Sequence, residues 1–375
     1  MDKIVMVDLH TQYQRIKGEI DEAIQQVLNT SAFIQGPQVQ QFAEALATYN
    51  DVDFVIPCAN GTDALQIAMM ALEYKPGDEI VLPVHTYVAT AEVIALLGLT
   101  PVFTEVDPDT FNIDPNQIQE KITPCTRAIV PVHLYGQCAD MEAILAIAKR
   151  NNLDVIEDTA QALGAIYTFS DGRKMRAGTM GTIGTTSFFP SKNLGCYGDG
   201  GALLTRDSKL AEKLKMIANH GQRIKYHHDI IGINSRLDTL QAAILRVKLN
   251  YLDEYISARN AVANFYDQKL SSIEGLQRPQ RSRQSTHVFH QYTLRISNNR
   301  RDELKTFLEK REIPSMIYYP VPLHLQKAYR RKGVEEGAFP ITETLSAEVI
   351  SLPIHTEMSE DQLLFIANSI KEFFN

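Results

Sequence analysis

The chain has 375 residues, with 45 acidic against 37 basic side chains and a net charge of −8. That length suits one large domain joined to a smaller one, and the mild acidity excludes a global pull towards nucleic acid or anionic membrane while leaving room for a local basic site. No apolar run reaches the ~18 residues that span a bilayer, and the amino terminus lacks the basic-then-apolar pattern of a signal peptide, so a cytoplasmic protein without membrane or nucleic-acid partner is expected. Cys58, Cys125, Cys138 and Cys196 have no CxxC spacing. They read as buried or incidental thiols and support neither a zinc site nor a disulfide framework.

The first stretch is polar and helical in pattern up to a break at Gly36-Pro37, and a second helix is expected over 38–49. Compact apolar runs then alternate with helical stretches: strands at 54–56, 79–83, 101–106, 128–134 and 153–158, with helices over 86–97 and 139–150. The runs lack polar alternation, as strands covered on both faces do, and the helices between them are long enough for crossovers. The predicted core is therefore an α/β domain with a mostly parallel sheet. TIGTTSFF at 182–189 and GALLT at 201–205 flank a glycine-rich turn, which predicts an antiparallel pair and a mixed sheet. A helix over 207–218 and a long helical region over 236–270, one bent helix or two, lead to a small α+β domain. That domain is predicted to hold a strand at 292–296, a helix over 301–311 and a last helix opened by a Ser359/Gln362 capping box. The domains are placed at 1–250 and 251–375, and 276–287 is expected to be a disordered or exposed loop.

Chemistry concentrates after the strands. In SFFPSKNLGCYGDGGA, Lys192 follows an apolar strand and precedes four glycines, Gly195, Gly198, Gly200 and Gly201. An amine desolvated there deprotonates readily and can bind a carbonyl cofactor; the plainer reading is a loop lysine beside a tight turn. Asp158 in EDTAQ closes a strand where α/β sheets collect ligands, and pairs with a pyridinium nitrogen or simply caps the next segment. Asn60-Gly61-Thr62-Asp63 opens a helix whose free N–H groups suit a phosphate, although many helices begin this way. Tyr87 in PVHTY offers a ring for stacking or core filling. Asn234 and Arg236 in GINSRLD, and Tyr319 and His324 in YYPVPLH, are candidates for binding an anionic substrate, against the plainer reading of Arg236 as a surface ion pair. No metal-ligand spacing and no GxSxG elbow is present.

Taken in order, NGTDAL, PVHTYVAT, EDTAQALGA, SFFPSKNLG with GDGGA, GINSRLD and YYPVPLH resemble the sugar aminotransferases of the DegT/DnrJ/EryC1/StrS family over essentially the whole chain. The resemblance implies the type I aminotransferase fold, with a mixed, mostly parallel seven-stranded sheet in the large domain and a small C-terminal α+β domain. It further implies pyridoxal 5'-phosphate as cofactor and a homodimer with shared active sites. Position by position, Lys192 is similar to the cofactor-binding lysine and general base, and Asp158 to the partner of the pyridine nitrogen. Gln161 matches the residue beside the ring hydroxyl, and Tyr87 the stacking residue. Gly61, Thr62, Asp63 and Ser187 match the phosphate cup, completed by Asn234 of a neighbouring subunit. Arg236, Tyr319 and His324 correspond to nucleotide-sugar positions.

The implied reaction moves an amino group from L-glutamate to a nucleotide-linked keto-sugar. Lysine at 192 argues against the dehydratase branch, which carries histidine there. Within the family the chain is most similar to enzymes that aminate C3 of UDP-2-acetamido-2-deoxy-3-keto-D-glucuronate for bacterial surface polysaccharide such as O-antigen. A dTDP-3-keto-6-deoxyhexose and a 4-keto nucleotide sugar are alternative substrates, and a non-catalytic regulatory protein on the same fold is the alternative of another class.

Overall fold

The computed structural model describes residues 3–330 and 334–375. Its centre is a seven-stranded sheet. In chain order, β1 (Phe54–Cys58), β2 (Glu79–Pro83), β3 (Thr100–Thr104), β4 (Thr126–Ile129) and β5 (Asp154–Asp158) precede a hairpin of β6 (Ile166–Thr168) and β7 (Lys174–Arg176), and β8 (Ile183–Ser187) and β9 (Gly201–Thr205) complete the sheet. The spatial order is β1-β9-β8-β5-β4-β2-β3. β3, β2, β4, β5 and β8 run parallel, and β9 is antiparallel to both of its neighbours. β1 consequently points the same way as β8, so only β9 runs against the rest. All five residues of β9 and four of five in β2, β5 and β8 are buried, which is why these runs carry no polar alternation.

Parallel strands put their carboxyl ends on one edge of the sheet, and the loops leaving β1, β2, β5 and β8 therefore gather there. Helices Gly61–Ala71, Ala89–Leu96, Met141–Asn151 and Ser208–Ala218 cover the sheet. β4 ends at Ile129, short of the predicted 134, because Pro131 has no N–H for a ladder; beyond it the Val130 N–H still bonds to the Val81 carbonyl (2.8 Å) and a single bridge joins Val132 to Asp158. The long helical region resolves into two helices, Thr239–Leu249 and Leu252–Lys269, the second of which enters the small domain. Arg259 bolts that junction: its guanidinium donates to the carbonyl oxygens of Phe289 (3.1 Å) and Ile354 (2.9 Å).

The small domain packs helices Arg301–Glu309 and Glu360–Phe374 on an antiparallel sheet of Leu276–Gln277, Tyr292–Ile296 and Val349–Leu352. Tyr266, Tyr292, Leu294, Leu308, Ile350 and Ile366 fill its core. Both halves of the Ser359/Gln362 capping box form. Helix Pro340–Glu348 and the strand that follows it were not anticipated, since no turn residue separates them.

The expectation of a disordered or exposed loop at 276–287 is corrected by the structure. Leu276–Gln277 joins the small-domain sheet, and the segment's end straps the large domain: Ser285 Oγ accepts from the Cys138 N–H (2.9 Å), and bridges join Gln137 to His287 and Tyr167 to Ser285. Its polar side chains find partners in the neighbouring loop, which composition alone does not reveal. Cys58, Cys138 and Cys196 are buried free thiols, and Cys125 is exposed. Among the described residues no helix is long and apolar enough to cross a membrane, and no group of three or more His, Cys, Asp or Glu is placed to hold a metal ion.

Candidate active site

The loop after β8 delivers Lys192. Its backbone N–H bonds back to the Phe189 carbonyl (2.8 Å), and Gly195 sits so close to Pro190 that a Cβ there would lie 2.3 Å from the Pro190 oxygen. That tight fold turns the lysine inward. Burial pushes the Lys192 amine down to about 8, and the negative charge of Asp158 partly offsets this. An amine in this range carries a useful neutral fraction near neutral pH, as a nucleophile or base needs.

Asp158, at the end of β5, is buried on the same edge. Its carboxylate accepts from Thr90 Oγ1 (3.0 Å) and from the Ala160 N–H (3.1 Å). Gln161, one turn on, has a fixed orientation. Its Oε1 accepts from the Tyr135 N–H (2.8 Å), which leaves Nε2 to donate to the Tyr319 hydroxyl (3.2 Å). The two YYPVPLH tyrosines are drawn in by this contact and by the Tyr135 hydroxyl, which donates to the Tyr318 carbonyl. Tyr87 is 57% exposed, with its ring 6.1 Å from that of Tyr319, so one aromatic face stays open beside the edge. Below it, burial holds His85 down to about 4, and its Nε2 meets the Tyr135 hydroxyl at 3.2 Å.

The loop after β1 closes the other end. Helix Gly61–Ala71 starts at Asn60, whose side chain accepts from the Asp63 N–H (2.8 Å). The N–H groups of Gly61 and Thr62 remain for an external acceptor, whereas that of Asp63 is already used. Ser187 stands directly against Gly61: a Cβ at Gly61 would lie 2.7 Å from the Ser187 Cβ. Only glycine lets the helix start and the end of β8 approach this closely.

Lys192, Asp158, Gln161, Tyr319, Tyr87, Gly61, Thr62, Asp63 and Ser187 thus share one edge. Three predicted residues depart from it. Asn234 is exposed and makes no hydrogen bond or ion pair with Lys192, Asp158 or Gln161. Arg236 lines a separate cavity of about 460 Å³ with Lys215, Arg223, Glu212 and Gln35. His324 is fully buried, its Nε2 2.9 Å from Glu343 Oε1 and its ring packed against Phe339, so it is held away from the opening. Thr90 and Tyr135 were not singled out in the sequence. Thr90 lies within PVHTYVAT, where its helical spacing from Tyr87 was an available signal; Tyr135, which orients Gln161 through its backbone and meets Tyr318 through its hydroxyl, left none.

The residues present fit pyridoxal phosphate. A desolvated amine with depressed basicity can take the aldehyde, Asp158 can take the ring nitrogen, Tyr87 offers a stacking face, and the Gly61–Thr62 N–H groups with Ser187 can take the phosphate.

The DegT/DnrJ/EryC1/StrS aminotransferase family model matches residues 14–371. A pleiotropic regulatory protein of Geobacillus stearothermophilus is 46% identical over 99% of this chain and 98% of its own length. The UDP-2-acetamido-2-deoxy-3-oxo-D-glucuronate aminotransferase of Pseudomonas aeruginosa is 45% identical over 98% of this chain and 99% of its own. Among solved structures, S. venezuelae DesV in complex with a ketimine intermediate superposes with a TM-score of 0.95 at 40% identity, covering 100% and 99% of the two chains. Ntda of Bacillus subtilis with bound cofactor PMP gives 0.87 at 32% identity, covering 95% of this chain and 81% of that one. The seven-stranded large domain with its small α+β partner is the type I aminotransferase architecture. The chain belongs to the DegT/DnrJ/EryC1/StrS aminotransferase family and is a pyridoxal-phosphate-dependent aminotransferase.

Proposed function

We propose that the protein transfers the amino group of L-glutamate to the C3 keto group of a nucleotide-linked sugar, UDP-2-acetamido-2-deoxy-3-keto-D-glucuronate in particular, for a surface polysaccharide such as O-antigen. The reading rests above all on Lys192, a half-buried side chain whose amine desolvation lowers to about 8, with Asp158 in opposition. The cofactor supplies an electron sink for the carbanion formed at the amino-bearing carbon. Lys192 would take the C–H proton of the amino-bearing carbon as general base and return it as general acid, so one residue serves both half-reactions. Asp158 holds a proton on the ring nitrogen, and Thr90 and the Ala160 N–H fix its carboxylate. Gln161 and Tyr87 orient the ring, and Gly61, Thr62 and Ser187 bind the phosphate.

Asn234 and Arg236 are assigned to the site of a second copy of the chain. The hairpin beside them, Gln222–Ile224 with His227–His228, carries exposed apolar side chains at Ile224 and Tyr226, and Ile231 follows it. A homodimer covers them and carries Arg236 across. The cavity of Arg236, where Lys215 and Arg223 face the single acid Glu212, supports an anionic sugar such as a uronate, as does the name of the P. aeruginosa relative. Tyr319 is the sugar-facing residue beside Gln161; His324 acts at most by shaping the loop that Glu343 holds.

The test is a spectrum of the purified protein before and after L-glutamate, then a panel of keto-sugars. Loss of the visible cofactor band establishes the first half-reaction. Arg236→Ala should impair a uronate more than an uncharged deoxyhexose; equal losses would assign Arg236 to phosphate and favour a dTDP-3-keto-6-deoxyhexose or a 4-keto sugar. The G. stearothermophilus relative supports a second reading, a regulatory protein on the same fold. A glutamate-driven spectral change would exclude that reading as the whole function.

A further inference from the structure

Adjacent strand residues face opposite sides of a sheet, so Glu157 points away from the edge that Asp158 faces. Glu157 is completely buried, yet its carboxylate is saturated. Oε1 accepts from the N–H groups of Met180 (2.7 Å) and Gly181 (2.6 Å), and Oε2 from the Gly178 N–H (2.8 Å) and from His133 Nε2 (2.9 Å). His133 is also completely buried. Its Nδ1 accepts from the Ala139 N–H (3.1 Å), which places the ring proton on Nε2 and makes the imidazole a donor to Glu157. The turn at Gly178 lies hard against β8, where a Cβ at Gly184 would come within 2.0 Å of the Gly178 oxygen.

Four donors on one buried carboxylate exceed what a packing residue requires, and their sources matter. His133 lies in the segment whose backbone clasps Asp158: the His133 N–H donates to the Asp158 carbonyl (3.0 Å), and the Asp158 N–H to the Pro131 carbonyl (2.9 Å). Two residues on, the Tyr135 N–H orients Gln161. The same short segment therefore fixes one residue assigned to the ring nitrogen and one assigned beside the ring, and its side-chain tie to β5 is the contact between His133 and Glu157.

We propose that Glu157 and His133 form a positioning pair that sets Asp158 and Gln161 from the reverse face of the sheet. The proposal rests on the reading of Asp158 as the ring-nitrogen partner. The pair touches neither cofactor nor substrate; it acts by tying the end of β5 to the 131–135 segment. Loss of the tie lets the two strand ends shift independently, and the cofactor ring loses registration before the fold does.

The experiment compares His133→Phe, His133→Gln and Asp158→Asn as holoenzymes. Cofactor release is followed on dilution by loss of visible absorbance, with kcat and the sugar KM measured alongside. His133→Phe removes the donor and should release cofactor about tenfold faster, with a fall in kcat at unchanged sugar KM. His133→Gln can still donate to Glu157 and should recover most of both. If His133→Phe does not fold, His133→Asn, whose shorter amide ends near the place of Nδ1 and falls short of Glu157, is read in the same way. Wild-type release from His133→Phe beside a clear effect of Asp158→Asn overturns the positioning pair alone. A Gln variant as defective as Phe, with Tm and activity falling together, also overturns it in favour of a purely structural contact. No effect of Asp158→Asn on release or kcat overturns both the pair and the reading beneath it.

Discussion

Asp158 and Ile231 sit in contrasting surroundings. Asp158 is buried at the carboxyl edge of the sheet, with Thr90, Ala160 and the backbone of His133 as partners drawn from three chain segments. Ile231 follows a two-stranded hairpin and is 84% exposed, and Tyr226 at the hairpin tip is 79% exposed. The first region is finished within one chain. The second leaves its largest apolar groups in water, beside the two predicted site residues, Asn234 and Arg236, that do not reach Lys192. Apolar side chains clustered at a projecting tip are a surface awaiting cover. The contrast separates residues proposed to make the chemistry from residues that another copy of the chain is proposed to receive.

Substitutions can break that separation. Lys192→Ala should reduce turnover by at least ~10³-fold, and borohydride should no longer fix cofactor to the chain; a reducible adduct in the variant would place the reactive amine elsewhere. Asp158→Asn should lower kcat by roughly 10²-fold, because a neutral amide cannot balance a protonated ring nitrogen; unchanged turnover would assign that task to another acid. Ile231→Asp should leave the spectrum of bound cofactor alone while weakening self-association by at least ~10-fold, measured by sedimentation. An unchanged assembly would remove the hairpin from the interface.

The Lys192 amine offers a finer measurement. In cofactor-free protein its reaction with an aldehyde probe should rise as pH passes about 8, since only the neutral amine attacks and burial has lowered it to that range. Asp158 acts in the raising direction, so Asp158→Asn should move the midpoint to lower pH. An upward move would mean that Asp158 does not face the amine. The smallest effect is expected far from both regions. Ser359→Ala removes one half of the capping box and should cost about 1 kcal/mol of stability in the small domain, read by denaturant titration, with activity intact.

Most strands of the sheet were legible because burial on both faces writes the same unbroken apolar run into each, as in β2 and β9. The antiparallel turn of β9 was legible from the glycines between it and β8. The strap at 276–287 and the helix–strand pair at 340–352 were not, because neither carries a periodic or turn signal of its own. Lys192 and Asp158 stood out as polar residues placed just after apolar strands, and Gln161 through the family resemblance. His324 stood out on the proline-framed YYPVPLH loop, but the partner of its ring was not legible: Glu343 meets it from a helix nineteen residues further on.

By itself, then, the order of residues determined the succession of most strands and helices and the one antiparallel strand, and it offered Lys192 and Asp158 as candidate amine and acid, since each follows from local pattern and covalent sequence. Which polar groups meet was decided only in three dimensions. Parallel strands bring Gly61 to Ser187 and Tyr135 to Gln161 from remote parts of the chain. The sheet's two faces assign Asp158 to the site and Glu157 to His133, although the two acids are neighbours. The reason is geometric: a strand's alternation sends consecutive side chains to opposite environments, and only the packed layers show what each environment contains.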